Sequence, residues 1–367
     1  MNGSREKCVL IAAGGTGGHV IPGVEVAKEL RDRGWECVFI GTSRGFENRL
    51  VPQAGFALRH LPAGSLKRVS LRRRLSTLVS APRAVASALR LIKRRRPAAA
   101  LSLGGYTAGP LVAACALLDV PLVVLEPNAT PGLANRLAAP AARRTLLGHP
   151  AAASHFSAAT SRVTGMPVRR EFFRSPPKRP GSPFSVLILG GSQGAARLNR
   201  AALDAVRAWR ARGDDVPRLV HQTGRLEYAA VSETYRGLGV EVEAAAFFDD
   251  MPRHFARADL VVCRAGASVI AELCAARKPA VLVPFPFAAD DHQRANGSVL
   301  ESAGGAVLVD DAEWTGDRMV REVDGFRQAP DRLAAMAAAL APLATADAVG
   351  DAAAAVADAA GRAGGIG

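Results

Sequence analysis

The clearest feature of the chain is a pattern that occurs twice: a short apolar run, a glycine-rich loop, and a segment whose apolar residues have helical spacing. The two copies begin with CVLIAAGGTGG at residues 8–18 and SVLILGGSQGA at residues 185–195. A helix and a further strand are predicted after each copy, at residues 21–33 and 36–40 and at residues 196–212 and 218–222. The pattern therefore predicts two β-α-β units that each open on a glycine loop.

Strands that alternate with helices form parallel sheets with helices on both faces, so a second opening of the same kind indicates a second sheet. The prolines and glycines of residues 165–183 fit neither a helix nor a strand and predict a linker. The predicted fold class is α/β, with two Rossmann-like parallel-sheet domains. We assign residues 1–165 to the N-terminal domain and residues 166–344 to the C-terminal domain, and expect a helix near residues 345–367 to pack back on the first.

Two segments fall outside the repeated pattern. Residues 67–96 place leucines and valines at helical spacing among many arginines and lysines, which predicts a basic amphipathic helix interrupted near Pro82. Residues 97–118 carry no charge over the length of a membrane span, but Gly104-Gly105 and Gly109-Pro110 break a continuous helix. We therefore expect a strand, a glycine turn and a buried helix there.

The composition narrows the range of partners. A formal net charge of +14, supplied largely by arginine, favours polyanions such as nucleic acid, anionic lipid headgroups or phosphorylated substrates. A basic nucleic-acid-binding protein is one interpretation, but aromatic residues make up only 5% of the chain and it has no recognised binding motif, so we expect no nucleic-acid partner. The five unclustered cysteines predict a reducing compartment and neither disulfides nor a cysteine metal site.

Both glycine loops have the arrangement that binds phosphate, because backbone amides approach the phosphate oxygens and the following helix adds a partial positive charge. Neither is a dinucleotide fingerprint. The first loop lacks the third glycine, and the next strand ends in Gly41-Thr42 in place of an acidic residue. No Lys-Ser or Lys-Thr follows either loop, which excludes a P-loop and leaves nucleotide-sugar chemistry as one leading candidate.

A third motif, ADLVVCRAGASVIAE at residues 258–272, predicts a strand ending at Cys263, a turn, and a helix with Glu272 about one turn inside. A carboxylate there accepts both hydroxyls of a ribose while Ser268 and the helix N-terminus face a diphosphate; the alternative is an ordinary surface glutamate. The run DDHQRANG at residues 290–297 is predicted as a polar loop suited to a sugar ring. Because the chain has no Asp-x-Asp, we expect amides, helix dipoles and arginines, and no metal, to stabilise a leaving diphosphate.

Nine motifs occur in an order that resembles the MurG family, the N-acetylglucosaminyltransferases that convert lipid I to lipid II in peptidoglycan synthesis. They span nearly the whole chain: GGTGGHVIPG (14–23), SLGGYTAGP (102–110), EPNATPGLANR (126–136), GMPVR (165–169), LGGSQGAARLN (189–199), HQTG (221–224), FFDDM (247–251), CRAGASVIAE (263–272) and DDHQRANG (290–297). The family usually carries His-Glu-Gln-Asn where this chain has Leu125-Glu126-Pro127-Asn128. Two polar groups are therefore absent, which argues against an essential role for them.

The resemblance implies a GT-B fold, in which two Rossmann-like domains face each other across a cleft, and a hexosyltransferase that needs no cofactor. The N-terminal domain would bind lipid I and the C-terminal domain UDP-N-acetylglucosamine. Transfer would invert the sugar onto the 4-hydroxyl of the muramoyl residue, at the cytoplasmic face of the inner membrane, where segment 67–96 would hold the enzyme peripherally on anionic lipid. The alternatives are another GT-B transferase that uses a UDP-sugar, or a UDP-N-acetylglucosamine epimerase.

The resemblance also implies roles for individual motif residues. The acceptor side comprises Thr16, Gly17, Gly18 and Asn128. Arg169 and Ser192 would contact the donor diphosphate, and the backbone of Phe248 the uracil. The remaining donor residues are the ribose ligand Glu272, the sugar ligands His292 and Gln293, and the nucleotide-binding residues Ala267, Ser268, Val269, Ile270 and Ala271.

Inversion requires a base that takes the proton of the attacking 4-hydroxyl. His19 is the first candidate, because it lies at the first glycine loop and an unperturbed histidine, with a pKa of about 6.5, is largely neutral at cytoplasmic pH. The alternative is that His19 caps its helix or binds a phosphate. Glu126, beside a proline-fixed backbone and close to Asn128, is the second candidate base.

Overall fold

The computed structural model of the chain describes residues 7–15, 17–43, 45–62, 71–105, 107–174, 182–191 and 193–361, without the side chains of residues 71–81 and 289. It divides the chain into two compact units. Unit 1 comprises Met1–Val168 and Asp347–Gly367, and unit 2 comprises Arg169–Ala346. The C-terminal segment from Asp347 onward belongs to the first unit.

Within the described residues, unit 1 contains a seven-stranded parallel sheet in the order β3-β2-β1-β4-β5-β6-β7. Its strands are β1 (Cys8–Ala12), β2 (Glu36–Gly41), β3 (Ala57–His60), β4 (Ala99–Ser102), β5 (Leu122–Glu126), β6 (Arg144–Leu147) and β7 (Ser161–Val163). Its first helices are α1 (Gly17–Asp32), α2 (Glu47–Gln53), α3 (Leu71–Arg95), α4 (Ala108–Leu117) and α5 (Leu133–Ala138). Short 3-10 helices lie at Ala139–Ala141 and Pro150–His155.

In its described part, unit 2 contains a six-stranded parallel sheet in the order β10-β9-β8-β11-β12-β13. Its strands are β8 (Ser185–Leu189), β9 (Arg218–Gln222), β10 (Val242–Ala245), β11 (Leu260–Cys263), β12 (Ala280–Leu282) and β13 (Ala306–Leu308). Its helices are α6 (Ala196–Arg212), α7 (Tyr228–Gly237), α8 (Met251–Arg257), α9 (Ala267–Ala276), α10 (His292–Ser302), α11 (Gly316–Arg327) and α12 (Pro330–Leu340). Short 3-10 helices lie at Arg170–Phe172, Ala289–Asp291, Asp311–Glu313 and Ala341–Leu343.

The two sheets confirm the predicted fold class of two Rossmann-like domains. The first strand of each unit, β1 or β8, is buried along its whole length, as expected for a parallel sheet covered on both faces. In both units the chain runs outward from this strand in one direction and then returns to build the other half of the sheet. Such a switch point opens a crevice at the carboxyl ends of the strands, which is where open α/β sheets bind ligands.

Several local predictions are confirmed, and three are wrong. The strand and buried helix expected within residues 97–118 are β4 and α4, and α6 and β9 have the predicted bounds. However, α1 begins at Gly17, four residues before the predicted start, so the glycine loop leads directly into it. The run at residues 290–297 is not a loop, because helix α10 begins at His292 and packs its buried side on β13.

Helix α3 continues through Pro82, where we expected an interruption. Its described side chains explain this: Ala84, Ala88 and Ile92 form a buried stripe at four-residue spacing that packs into the core of unit 1, next to α4. This burial outweighs the one intrahelical hydrogen bond that a proline removes. Residues 67–70 of the basic segment lie outside the described part of the chain.

The last helix, α13 (Ala348–Gly361), packs on α1 and on the sheet of unit 1, as expected for a C-terminal helix that returns to the first domain. Residues 330–361 are long and apolar enough, by length and composition, to cross a membrane. They do not form one helix, because α12 ends at Leu340, a 3-10 turn follows, and α13 begins only at Ala348 in the other unit. The buried side of α13, which includes Val349 and Val356, belongs to the core of unit 1.

Candidate active site

The first glycine loop follows β1 at the switch point of unit 1. Gly17, Gly18 and His19 are the first three residues of α1 and are half-buried. Amides in the first turn of a helix have no carbonyl partner within the helix and carry its partial positive charge. Two of the predicted acceptor-side residues, Gly17 and Gly18, therefore lie at one helix N-terminus together with the candidate base His19, whereas Thr16 lies outside the described residues.

A buried carboxylate that the sequence did not reveal holds this loop. Glu47, at the start of α2, is fully buried and accepts hydrogen bonds from the Gly15 amide (2.9 Å) and from the amide and hydroxyl of Thr42 (2.8 and 3.1 Å). A side chain at Gly45 would overlap the Glu47 carboxylate, so glycine is required there. Glu47 thus ties the loop after β1 to the end of β2, and no sequence pattern marks it.

The loop after β4 packs against the first glycine loop. A Cβ atom at Gly105 would lie 2.5 Å from the carbonyl oxygen of Gly14, and one at Gly14 would lie 2.9 Å from Oγ1 of Thr107. Gly105 also has a φ of +80°, which L side chains rarely adopt. The glycine pair of the second motif therefore permits direct contact between the two loops at the switch point.

Glu126 lies at the end of β5, is 1% exposed and is saturated with hydrogen bonds. Its Oε1 accepts from the backbone amide and the side-chain amide of Asn128 (both 2.9 Å), and its Oε2 accepts from the Gly132 amide (3.1 Å) and from Nδ2 of Asn135 (2.9 Å). Burial raises the pKa of Glu126, and these donors oppose the rise. The carboxylate shapes the loop that carries Asn128, a geometry that suits positioning better than proton transfer.

In unit 2, Glu272 is the sixth residue of α9 and is 9% exposed. Burial raises the pKa of its carboxyl to about 7, and the positive charge of Arg169 opposes the rise. This burial contradicts the alternative of an ordinary surface glutamate, and no described residue donates a hydrogen bond to the carboxylate. Ala267 and Ser268 lie in the first turn of the same helix, whereas Ile270 is buried on the core side and Val269 and Ala271 are half-buried.

Arg169 joins Glu272 to the segment that follows β10. Its Nη1 donates to the carbonyl oxygen of Asp249 (3.1 Å), its guanidinium lies 5.3 Å from the ring centre of Phe172, and its Nε is buried with no partner among the described residues. The structure therefore brings three predicted donor residues, Arg169, Glu272 and Phe248, to one end of unit 2. Ser192 lies outside the described residues.

The Phe248 segment is held by residues that the sequence did not single out. Its amide donates to Oε1 of Gln222 at 2.9 Å, and its ring centre lies 4.0 Å from that of His254. Burial lowers the pKa of His254, while the charges of Glu243 and Asp250 oppose this. Gln222 belongs to the HQTG motif, which is the signal that could have identified it.

The predicted sugar ligands His292 and Gln293 occupy the first turn of α10, after Asp290 and Asp291 in left-handed conformation (φ 51° and 49°). Oε1 of Gln293 accepts a hydrogen bond from the Phe285 amide at 2.9 Å, which fixes the loop after β12. Arg264, which we did not predict, holds the same loop: its Nη1 donates to the carbonyls of Val283 and Pro284 and to Oδ1 of Asp311 (2.6 Å).

Two switch-point glycine loops, the first followed by a histidine, and a buried carboxylate in the second unit are the arrangement expected of a two-domain nucleotide-sugar glycosyltransferase. Residues 9–147 match the glycosyltransferase family 28 N-terminal domain, and residues 185–352 match the family 28 C-terminal domain. The UDP-N-acetylglucosamine–N-acetylmuramyl-(pentapeptide) pyrophosphoryl-undecaprenol N-acetylglucosamine transferase of Solibacter usitatus is 47% identical over 314 residues, covering 86% of each chain.

The crystal structure of Acinetobacter baumannii MurG superposes on this chain with a TM-score of 0.73 at 28% identity, covering 96% of this chain and 99% of that one. The chain belongs to the MurG family of N-acetylglucosamine transferases. A UDP-N-acetylglucosamine 2-epimerase has the same fold, with a TM-score of 0.65 over 94% of both chains but only 13% identity. The fold alone therefore does not distinguish a transferase from an epimerase.

Proposed function

We propose that this chain transfers N-acetylglucosamine from UDP-N-acetylglucosamine to the 4-hydroxyl of the muramoyl sugar of lipid I, with inversion at the anomeric carbon, giving lipid II. The observation that carries the donor assignment is the buried carboxylate of Glu272 beside Arg169, to which no residue in the described part of the chain donates a hydrogen bond. A buried carboxylate without donors is costly unless a ligand supplies them, and the two ribose hydroxyls do so.

The other donor contacts follow from the same geometry. The N-terminus of α9, with Ser268, and the guanidinium of Arg169 supply positive potential for the diphosphate, together with Ser192. The Phe248 backbone binds the uracil, and His292 and Gln293 at the N-terminus of α10 bind the sugar. As the glycosidic bond breaks, the helix N-termini and Arg169 stabilise the negative charge that develops on UDP.

On the acceptor side, His19 removes the proton from the 4-hydroxyl as that oxygen attacks the anomeric carbon. Its place in the first turn of α1 puts it beside amides that bind anionic groups, and Glu47 fixes the loop that precedes it. Glu126 positions Asn128 and the rest of its loop through its four hydrogen bonds. We therefore assign the base role to His19 and a positioning role to Glu126.

A coupled assay tests the reaction. UDP release from UDP-N-acetylglucosamine should require a lipid I analogue and should match, mole for mole, the disaccharide-linked product detected by mass spectrometry. An epimerase would convert the donor without an acceptor, and a nucleic-acid-binding protein would release no UDP. UDP release without acceptor, or none with it, would refute the assignment.

We further propose that the enzyme binds peripherally to the cytoplasmic face of the membrane, where its lipid-linked acceptor resides. The C-terminal half of α3 supports this, because Arg83, Arg90, Lys93 and Arg94 are exposed while Ala84 and Ala88 face the core. The neighbouring helix α4 also leaves Leu117 68% exposed. Each basic residue near an anionic leaflet contributes about 1 kcal/mol of binding.

Vesicle binding tests this placement. The chain should sediment with phosphatidylglycerol-containing vesicles in about 0.05 M salt and far less in about 0.5 M salt, because screening shortens the range of the attraction. The double substitution Lys93→Gln, Arg94→Gln should weaken binding roughly thirtyfold, since each charge contributes about 1 kcal/mol. The matched pair Arg210→Gln, Arg236→Gln removes two exposed charges from unit 2 and should have no such effect. Binding that does not change with salt would contradict the proposal.

A further inference from the structure

Strand β9 ends between two of the loops assigned to the donor. In the sheet it lies between β10 and β8, and its last two residues, His221 and Gln222, point to opposite faces, as successive residues of a strand do. We propose that His221 and Gln222 are positioning residues for the two ends of the donor nucleotide: His221 for the diphosphate and Gln222 for the uracil. This inference rests on the proposed function, which places the diphosphate at the loop after β8 and the uracil at Phe248.

His221 is at the centre of a buried chain of hydrogen bonds. Its Nδ1 lies 2.8 Å from the Tyr235 hydroxyl and its Nε2 lies 3.0 Å from Oδ1 of Asn199. The amide group of Asn199 donates to the Thr223 carbonyl (3.0 Å) and to Oε2 of Glu227 (2.6 Å), which fixes its orientation. Nε2 of His221 must therefore carry the proton, and Nδ1 accepts from Tyr235. Burial lowers the pKa of His221 to about 3, so the imidazole is neutral at cytoplasmic pH.

This chain of hydrogen bonds supports the second glycine loop directly. Asn199 fixes the Thr223 carbonyl, and Thr223-Gly224 is in backbone contact with Gly194, the last glycine of that loop. A Cβ atom at Gly194 would lie 2.6 Å from the Thr223 oxygen, and one at Gly224 would lie 2.2 Å from the Gly194 backbone. With no side chain between them, any shift at Thr223 is transmitted to the amides of the loop. Amides stabilise a diphosphate only when they are already oriented toward it.

Gln222 acts on the other side of the strand. Its side-chain oxygen accepts from the Phe248 amide (2.9 Å), while its backbone carbonyl accepts from the Gly190 amide (3.1 Å). Gln222 is 4% exposed, so it cannot exchange the Phe248 bond for one to bulk water. It therefore fixes the peptide plane between Phe247 and Phe248, next to the Phe248 backbone that would meet the edge of the uracil.

The roles proposed for His221 and Gln222 can be separated by comparing UDP with uridine, which has the uracil but no diphosphate. Affinities of the full chain for UDP and for uridine would be measured by calorimetry, with competition against UDP for the weaker ligand. Tyr235→Phe and His221→Leu should raise the Kd for UDP roughly fivefold or more and leave the Kd for uridine unchanged, since uridine has no diphosphate. Gln222→Met keeps the side-chain volume but loses the acceptor, and should raise both Kd values by the same factor. Gln222→Glu restores an acceptor oxygen and should recover most of the affinity.

Trp209→Phe is the matched control. It removes a part-buried side-chain hydrogen bond of unit 2, from Nε1 of Trp209 to Asp324 (3.0 Å), which involves neither loop, and should change neither Kd. Tyr235→Phe is the mildest of the variants and keeps the test valid if His221→Leu does not fold. Equal losses for UDP and uridine in the His221 and Tyr235 variants, or losses of the same kind in Trp209→Phe, would overturn the inference. A wild-type chain that does not bind UDP would instead refute the proposed function itself.

Discussion

Replacing His19 with alanine should lower the rate of glycosyl transfer by roughly 10²- to 10⁴-fold, the usual contribution of a general base, while leaving donor affinity nearly unchanged. His19 lies in the first turn of α1, at the carboxyl edge of β1, whereas the donor contacts that we propose lie in unit 2. The loss should therefore appear in the chemical step. Single-turnover measurements with a lipid I analogue would record that step separately from product release.

Two further variants distinguish the roles open to His19. His19→Gln keeps a side chain that can cap the helix or bind a phosphate but cannot accept the proton of the acceptor hydroxyl. It should be as slow as His19→Ala if His19 is the base, and should recover most of the rate if it only binds. His155→Ala removes an exposed histidine of the same unit and serves as the control. Near-complete turnover by His19→Ala would transfer the base role to another group.

Glu126→Gln completes this comparison. Glutamine keeps one acceptor oxygen but places an amide where Asn135 or Asn128 now donates, so the loop after β5 should loosen and thermal stability should fall. Because the Glu126 carboxylate is already occupied by four donors, the loss in transfer rate should be much smaller than for His19→Gln. A larger loss at Glu126 than at His19 would reverse the assignment of the base.

The sequence predicted the features that depend on local spacing. Two apolar runs that lead into glycine loops require parallel sheets with a switch point, and the structure has both. The positions of Gly17, His19 and Glu272 follow from the same pattern, since each lies just after a predicted strand. These residues are recognisable because the β-α turn of a Rossmann-type unit is a local structure.

The sequence did not reveal the residues that act across the fold. Glu47 is 32 residues from Gly15, Gln222 is 26 residues from Phe248, and Arg264 is 47 residues from Asp311. The partner of each is set by strand order, which no local pattern encodes, although Gln222 and Arg264 lie within motifs that the sequence does show. Pro82 is the opposite case, in which a local pattern predicts the wrong structure. The proline predicts a break in the helix, but α3 is continuous because Ala84, Ala88 and Ile92 are buried against the core.

Glu272→Gln should weaken donor binding and at the same time stabilise the free protein. Losing the carboxylate removes a charged pair of hydrogen bonds to the ribose, so KM for UDP-N-acetylglucosamine should rise on the order of 10- to 100-fold. In the wild type, KM should fall as the pH rises through about 7, because the ionised carboxyl, whose pKa is raised to about 7, is the form that accepts the ribose hydroxyls. The variant should lose this pH dependence.

The stability effect has the opposite sign because the pKa of Glu272 rises on folding from 4.5 to about 7. The folded protein then holds the proton more tightly than the unfolded chain. The stabilisation that this proton provides is complete at a pH below the pKa of Glu272 in the unfolded chain, and it is lost as the pH rises through the pKa in the folded protein. At about pH 8 the wild type should be less stable than Glu272→Gln by ~3 kcal/mol, and at about pH 4 this difference should vanish.

Thermal unfolding of both proteins across this pH range, with the exposed Glu233→Gln as the control, would measure the difference. A residue that only supports the fold would lose stability and donor affinity together when it is replaced. Replacing a residue that is kept buried and unpaired for a ligand should instead raise the stability of the free protein and lower its donor affinity. The free-energy cost of burying the carboxylate is offset only when the ribose binds. An unchanged KM, or a variant that is less stable at about pH 8, would remove Glu272 from the donor site.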